Sequence, residues 1–164
     1  MTPYHEHNAR FSDHRLTFLS DGPLAGESRA VHDHPSGMPL VRIDLRKGTK
    51  PAFRRAVADA VHRAMVETIK VPEQDRFQVI TEHDAESLIY DPSYLGISRT
   101  DGVIFIQITL NAGRTLEARK ALYARIAQLL RESPGVRSED VLVNLVEVAK
   151  ENWSFGNGIA QYAT

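Results

Sequence analysis

The feature of this sequence that most constrains its fold is an internal repeat. When the chain is shifted by 65 positions it matches itself without a gap, and Ile43-Asp44-Leu45 falls on Ile108-Thr109-Leu110. Further matched pairs are Gly48 with Gly113, Arg54 with Arg119, Glu67 with Glu132, Asp75 with Asp140, and Glu82 with Glu147. A repeat of this kind indicates two copies of one supersecondary unit that bury a common core.

Each copy has the pattern of a strand, a helix and a second strand. In the first copy, runs rich in β-branched residues predict strands over residues 39–45 and 76–81. Between them we expect a helix that Thr49 caps, with Pro51 in its first turn, where a missing N–H is tolerated. Its apolar stripe contains Phe53, Val57, Ala60, Val61, Ala64 and Met65, and recurs in the second copy as Leu122, Ile126, Leu129 and Leu130.

The two units, at about residues 39–82 and 104–147, predict an α/β fold. Parallel strands within each β-α-β unit require right-handed crossovers, which gives a four-stranded sheet with two helices on one face. The strands are nearly continuous apolar runs, such as residues 103–106 and 141–143. Apolar side chains should therefore remain on the uncovered face, and such a face usually marks an interface. We expect self-association through the sheets.

The first 37 residues differ from the rest of the chain. They contain five of the seven histidines, together with many prolines and glycines. So little apolar surface does not offset the entropy lost on ordering. We therefore expect a disordered arm at residues 1–37 and a domain at residues 38–164, whose tail is residues 148–164. His5-Glu6-His7 and His32-Asp33-His34 lack further ligands at regular spacing, which favours a solvated leader over a metal site.

Composition excludes several function classes. The net charge of -1 gives no general attraction to nucleic acid or to anionic membranes. The absence of cysteine excludes thiol catalysis and thiolate metal sites, and the absence of a glycine-rich phosphate loop predicts no nucleotide cofactor. No apolar run reaches the roughly 18 residues that span a bilayer, and residues 1–10 lack the apolar region of a secretory signal. We expect a cytoplasmic protein.

Five short motifs, each weak alone, are specific together. They are Pro39-Leu40, Val71-Pro72-x-x-Asp75-Arg76-Phe77-Gln78, Leu95-Gly96, Gly113-Arg114, and residues 151–156. In this combination the chain resembles the tautomerase superfamily, and within it malonate semialdehyde decarboxylase and related proteins, from Pro39 to about Tyr162. The resemblance implies a homotrimer of double units, with an amino-terminal proline in a pocket near a subunit boundary.

The resemblance also implies the catalytic residues. Pro39 matches the catalytic proline, and Asp75 matches the catalytic aspartate of the decarboxylase, with Arg76 beside it as a substrate-binding residue. A terminal proline is a useful base because an α-amino group titrates near roughly 8, and burial lowers its pKa further. In the written chain, however, Pro39 follows Met38 as an imide without basicity. The hypothesis therefore expects translation to start at Met38, with removal of that methionine, or removal of the arm.

Four further residues of the expected site bind or enclose substrate. Arg114, the third expected catalytic residue, matches the second of two arginines that hold a substrate carboxylate, whereas Asn111 stands where the first would be. Asparagine offers a neutral amide in place of a bidentate cation, which weakens the case for decarboxylation and leaves general tautomerase chemistry possible. Trp153 and Phe155 match the aromatic wall of the pocket.

Three functions remain open at this stage. The leading one is an enzyme that moves a proton on a small keto or enol acid, with Pro39 as general base. The second is a decarboxylase or hydratase of a 3-oxo acid such as malonate semialdehyde. The third is a non-catalytic trimeric binding or scaffold protein with a blocked proline. Structural roles are the alternatives for single residues: Pro39 as a strand-start proline, and Asp75 as a turn residue with a role that Asp140 shares.

Overall fold

The computed structural model describes residues 38–163, so the expectations for the arm at residues 1–37 and its histidines lie outside the described residues. The described chain forms β1 (Leu40–Arg46), α1 (Pro51–Ile69), β2 (Phe77–His83), β3 (Ile104–Asn111), α2 (Leu116–Glu132) and β4 (Val141–Val148). Helix α1 begins at residue 51 and α2 at residue 116, so the elements follow the repeat of the sequence. Neither helix is long and apolar enough to cross a membrane, and the same holds throughout the described residues.

The four strands form one mixed sheet in the order β2-β1-β3-β4. Within each unit the strands are parallel, as predicted, whereas the central pair, β1 and β3, is antiparallel. Leu40, the first residue of β1, lies between Phe77 at the start of β2 and Thr109 near the end of β3. The start of the first unit and the end of the strand β3 therefore meet at one edge of the sheet.

The two helices cover one face of the sheet, which confirms the predicted α/β architecture. The core between helices and sheet is formed mainly by the inward residues of β1 and β3 and by the apolar stripes of both helices, and its largest side chains include Ile43, Leu45, Met65, Ile104, Ile106, Ile108, Leu110, Leu122, Ile126 and Leu130. Burying one such side chain contributes roughly 1.5–3 kcal/mol to folding. This core fixes the positions of the loops at both sheet edges.

The uncovered face carries apolar side chains, but it is not uniformly apolar. Phe77 and Val79 of β2 are 49% and 42% exposed, and Leu142 of β4 is 39% exposed. Between them lie the polar outward residues of the central strands, such as Arg42 and Gln107, because these strands alternate more strictly than their apolar content indicates. The two exposed apolar areas are thus separated by a polar strip.

The predicted cap of α1 was wrong by one residue. Lys50 occupies the cap position with an extended backbone and makes no side-chain capping bond, because the residue before a proline is disfavoured in helical conformation. The Thr49 hydroxyl instead donates to the Glu82 carboxylate at 3.2 Å. In α2 the residue equivalent to Lys50 is Thr115, whose Oγ1 accepts the Ala118 N–H at 3.2 Å, as a capping threonine does.

Candidate active site

The edge of the sheet at the start of β1 gathers most of the predicted site residues. Pro39 is buried and directly precedes β1. Asp75 precedes β2, whose first residue Phe77 pairs with Leu40. Asn111 ends β3, which runs antiparallel to β1. The topology therefore brings the segments before β1, before β2 and after β3 to the same edge.

A mostly apolar cavity of about 230 Å³ opens at this edge, lined by Met38, Pro39, Leu40, Phe77, Trp153, Ser154 and Phe155. Three of the predicted site residues, Pro39, Trp153 and Phe155, thus line one cavity. A space of this volume suits a small organic acid rather than a large cofactor. Apolar walls also exclude water, which strengthens any electrostatic contact made inside.

Phe77 is a lining residue that the sequence analysis did not assign to the site. The signal was present, because Phe77 directly follows the Asp75-Arg76 pair and starts the strand that neighbours Pro39-Leu40. Recognising it required the register of β1 with β2, which local patterns do not contain. Its large exposed ring continues the aromatic wall beyond the tail.

The aromatic wall is held by contacts within the C-terminal tail. The Trp153 ring stacks on Phe155, with centroids 5.4 Å apart and planes 11° from parallel, and Phe155 meets Tyr162 edge to face at 5.2 Å. The Phe155 backbone N–H donates to Gln161 Oε1 at 3.0 Å, and Gln161 Nε2 donates to the Gly156 carbonyl at 3.0 Å. These contacts fold the tail back on itself and present two stacked rings to Pro39.

Asn111 connects the aromatic wall with Arg114. Its side-chain Oδ1 accepts the Trp153 indole N–H at 2.8 Å, and its backbone carbonyl accepts a hydrogen bond from Arg114 Nη1. Because an indole nitrogen only donates, this bond also fixes which end of the amide faces Trp153. The remaining amide nitrogen, Nδ2, is buried and has no hydrogen-bond partner in the part of the chain that the structure describes.

Arg114 supplies the positive charge of this edge. It is about half buried, and this burial lowers the pKa of its guanidinium, an effect that the Glu147 carboxylate partly opposes. An arginine side chain nevertheless stays charged at neutral pH. Arg119 Nη2 donates to the Arg114 backbone carbonyl at 2.9 Å, which holds the turn before α2 in place. A carboxylate or an enolate oxygen is the natural partner of this cation.

Asp75 lies at the same edge but does not line the cavity. Its backbone N–H donates to the Pro72 carbonyl at 3.0 Å in a turn, while its half-exposed carboxylate forms no hydrogen bond or ion pair within residues 38–163. Asp140, its repeat partner, is only 2% exposed and accepts the Thr100 N–H at 2.6 Å and the Thr100 hydroxyl at 2.7 Å. The two aspartates therefore do not share the structural role that their alignment predicts.

Arg76 does not line the cavity, and its side chain contacts helix α1. Its Nη2 forms an ion pair with Asp59 of α1, and its Nε donates to Gln78 Oε1 at 2.7 Å. Gln78 Nε2 in turn donates to the Ala58 carbonyl at 2.9 Å. Substrate binding by Arg76 stays a prediction, and the structure gives this residue a clear structural partner instead.

Comparison with known proteins identifies the family of the whole domain. Two family models, both described as "Tautomerase enzyme", match residues 39–97 and 75–156. Among curated relatives, the probable tautomerase YusQ of Bacillus subtilis (strain 168) is 45% identical over 124 residues, which cover 76% of this chain and 98% of the relative. The first of the family matches begins at Pro39, the residue that the sequence analysis singled out.

Solved structures of similar fold extend this comparison. The FG41 malonate semialdehyde decarboxylase, solved after inhibition by 3-bromopropiolate, superimposes with a TM-score of 0.71 at 42% identity, covering 75% of this chain and 93% of that one. A fused 4-OT protein described as a symmetric trimer superimposes with a TM-score of 0.63 at 26% identity, covering 76% of this chain and 98% of that one.

Proposed function

Because this chain belongs to the tautomerase superfamily, we propose that it moves a proton on a small keto or enol acid, with Pro39 as an amino-terminal general base. The observation that carries this proposal is the buried position of Pro39 in an apolar cavity beside Trp153 and Phe155, at the edge that also holds Arg114. A secondary amine there would have its pKa lowered by burial towards neutrality. A base whose pKa is near the working pH transfers protons efficiently.

The proposed reaction needs only a proton shuttle. The Pro39 nitrogen accepts the proton of the enol hydroxyl, or of the carbon next to a carbonyl, and returns a proton to the other position. Arg114 neutralises the carboxylate or the developing enolate. Asn111 supports the site from behind the cavity, because its buried side chain accepts the Trp153 indole N–H. Trp153 and Phe155 exclude water and thereby strengthen both contacts.

A free terminus at Pro39 is the condition of this mechanism. Two findings support it: a family match begins at Pro39, and 124 matched residues account for 98% of the YusQ relative, although this chain has 164 residues. Intact-mass measurement of the natively produced protein tests the condition. We expect the mass of residues 39–164, whereas a mature chain that retains residues 1–38 would refute the proline base.

The activity test compares proteins that begin at position 39. Among the described residues the apolar core begins at Val41, so a chain that starts at Pro39 retains the packed part of the fold. With phenylenolpyruvate as substrate, Pro39→Ala should lower kcat/KM by roughly 10²–10⁴-fold, the usual contribution of a general base. Pro51→Ala, at the first turn of α1, is the matched control and should leave the rate unchanged. Equal rates for Pro39→Ala and the parent would favour a non-catalytic binding or scaffold protein.

A second candidate function is decarboxylation or hydration of a 3-oxo acid such as malonate semialdehyde. The observations that favour it are the 42% identity to a malonate semialdehyde decarboxylase and the uncommitted carboxylate of Asp75 at the proline edge. Asn111 in place of a second arginine argues against it, because one cation grips a carboxylate less firmly than two. Release of carbon dioxide from malonate semialdehyde distinguishes this reaction from simple tautomerisation.

We also propose that the protein is a homotrimer. The fused 4-OT neighbour is described as a symmetric trimer, and the uncovered sheet face exposes Phe77, Val79 and Leu142. Such side chains are typical of a face that packs against another subunit. Light scattering coupled to size-exclusion chromatography should give three times the chain mass, and a monomer at micromolar concentration would contradict this assembly.

A further inference from the structure

The loop between α1 and β2, residues 70–76, carries Asp75 and is contacted by two polar side chains of α1. His62 Nε2 lies 2.9 Å from the Glu73 carbonyl oxygen, and Asp59 of α1 pairs with Arg76. Since a carbonyl only accepts hydrogen bonds, His62 Nε2 must donate, which leaves Nδ1 unprotonated in the neutral ring. The two contacts hold the residues on both sides of Asp75, through the Glu73 carbonyl and through the Arg76 side chain.

His62 is an unusual residue for the position it occupies. It is 9% exposed, and its Nδ1 is buried without a hydrogen-bond partner among residues 38–163. An unpartnered buried acceptor lowers stability, a cost that an apolar residue would avoid. In the second unit the equivalent position is Ala127, on the same repeat register. Packing of the helix therefore does not require a histidine here.

The second unit fastens its corresponding loop in a different way. The residues equivalent to His62 and Asp59 are Ala127 and Ala124, whose methyl side chains cannot form either polar contact. There, the carboxylate of Asp140 itself is bonded, by both the backbone N–H and the hydroxyl of Thr100. The first unit thus holds the loop through the Glu73 carbonyl and the Arg76 side chain and leaves the Asp75 carboxylate unpaired. In the second unit the Asp140 carboxylate itself holds the loop.

We propose that His62 is a positioning residue for Asp75: by donating to the Glu73 carbonyl it fixes the loop, so that the carboxylate keeps its place near the cavity without being used as an anchor. This inference rests on the proposed function: it assumes that the Pro39 edge is the active site and that Asp75 takes part in the reaction there, as in the second candidate function. An anchored backbone with an unpaired carboxylate is what a reacting acid requires, because misplacement by about 1 Å can cost roughly 100-fold in rate.

The test uses two substitutions with the same amide chemistry and different reach. In His62→Gln the amide nitrogen lies near the former Nε2 position and can still donate to Glu73, whereas the shorter side chain of His62→Asn cannot reach it. The assay uses protein whose measured mass shows that the chain begins at Pro39. In this protein we expect His62→Asn to lower kcat by about tenfold or more. We expect KM to change little, and His62→Gln to keep kcat within about threefold of the parent, because the bond is retained.

A double-mutant comparison separates positioning from a general loss of structure. Rates are measured with phenylenolpyruvate and with malonate semialdehyde. The comparison is made on the substrate whose turnover is lost in Pro39→Ala. His62→Asn should add nothing in an Asp75→Asn background, because the two residues act through one carboxylate. If His62→Asn lowers kcat equally in both backgrounds, or if His62→Gln and His62→Asn are equally slow, the positioning role is refuted.

The outcomes also distinguish this inference from the proposed function. If Pro39→Ala is slow while Asp75→Asn or His62→Asn matches the parent, the proline mechanism stands and the positioning role of His62 fails. If Pro39→Ala itself matches the parent on both substrates, the proposed function fails and the inference fails with it.

Discussion

Trp153→Phe is the substitution that tests the hydrogen bonding of the candidate site most directly. Phenylalanine keeps an aromatic ring to stack on Phe155 but removes the indole N–H that donates to Asn111 Oδ1 at 2.8 Å. Asn111 is 2% exposed and its Nδ2 already has no partner in the described chain. The substitution would therefore leave both ends of a buried amide without a partner, at a cost of about 1–3 kcal/mol in the free energy of unfolding.

The same substitution should also lower activity. Without the indole, the aromatic wall of the cavity loses the hydrogen bond that ties it to Asn111 at the end of β3. A loss of about 1–3 kcal/mol in transition-state binding corresponds to roughly 5- to 150-fold in kcat/KM. Urea unfolding measures the stability change, and turnover of phenylenolpyruvate by protein beginning at Pro39 measures the activity change.

Asn111→Leu provides the control, since it removes both unsatisfied polar groups from the buried position. Replacing both partners of a buried hydrogen bond by apolar groups can be nearly neutral. The double variant Trp153→Phe/Asn111→Leu should therefore recover most of the stability that Trp153→Phe loses, while remaining slow. If Trp153→Phe alone unfolds at the same urea concentration as the parent, or if the two stability losses simply add, the reasoning about the buried amide is wrong.

Three further predictions follow from other contacts. Glu82→Gln and Glu147→Gln remove the equivalent ion pairs with Arg54 (2.9 Å) and Arg119 (3.0 Å). Because these pairs are partly exposed, each substitution should lower the free energy of unfolding in urea by less than about 1 kcal/mol. Large and unequal losses of stability would contradict the equivalence of the two pairs. Arg125 and Arg63 lower the pKa of Glu67 from 4.5 to about 2, so the charged carboxylate stabilises the folded state above pH 4.5; the Tm difference between the parent and Glu67→Gln should shrink as pH falls from 4.5 towards 2. Trp153 is the single tryptophan of the chain and lines the cavity, so phenylpyruvate should change the intrinsic fluorescence of the parent, and an unchanged spectrum at saturating ligand would argue against binding there.

The architecture could be predicted from the sequence because the repeat and the local patterns agree. A strand-helix-strand pattern that recurs after 65 residues leaves few folds open, and the strands and helices were located to within a few residues. The antiparallel contact of β1 with β3 was not predicted, because pairing between the two units depends on tertiary packing. The cap at Thr49 was wrong because Pro51 imposes an extended conformation on Lys50, which moves the cap by one position.

The site was less predictable than the fold, since its decisive contacts join distant segments. The bond between Trp153 and Asn111 spans 42 positions, and no local pattern indicates it. The alignment of Asp75 with Asp140 even predicted a shared role, although Asp140 is anchored by Thr100 and Asp75 is not. Family resemblance could nominate these residues, but only the geometry distinguishes an anchored side chain from an available one.

The repeat itself explains why a chain of this kind would hold one proline site and not two. A proline nitrogen is a basic amine only at a chain terminus, so in a fused double unit the position equivalent to Pro39, which is Ile104, can never supply that base. The opposite edge of the sheet has different contacts. Arg46, the repeat partner of Asn111, forms an ion pair with Asp101 at 3.0 Å and lies over the Tyr90 ring. Leu88, the repeat partner of Trp153, is buried. Under the proposed mechanism that edge does not admit substrate, and an ion pair and apolar packing occupy it instead. If Pro39 acts as we propose, the two aspartates differ for the same reason, because only Asp75 lies at the edge that would hold the terminal amine.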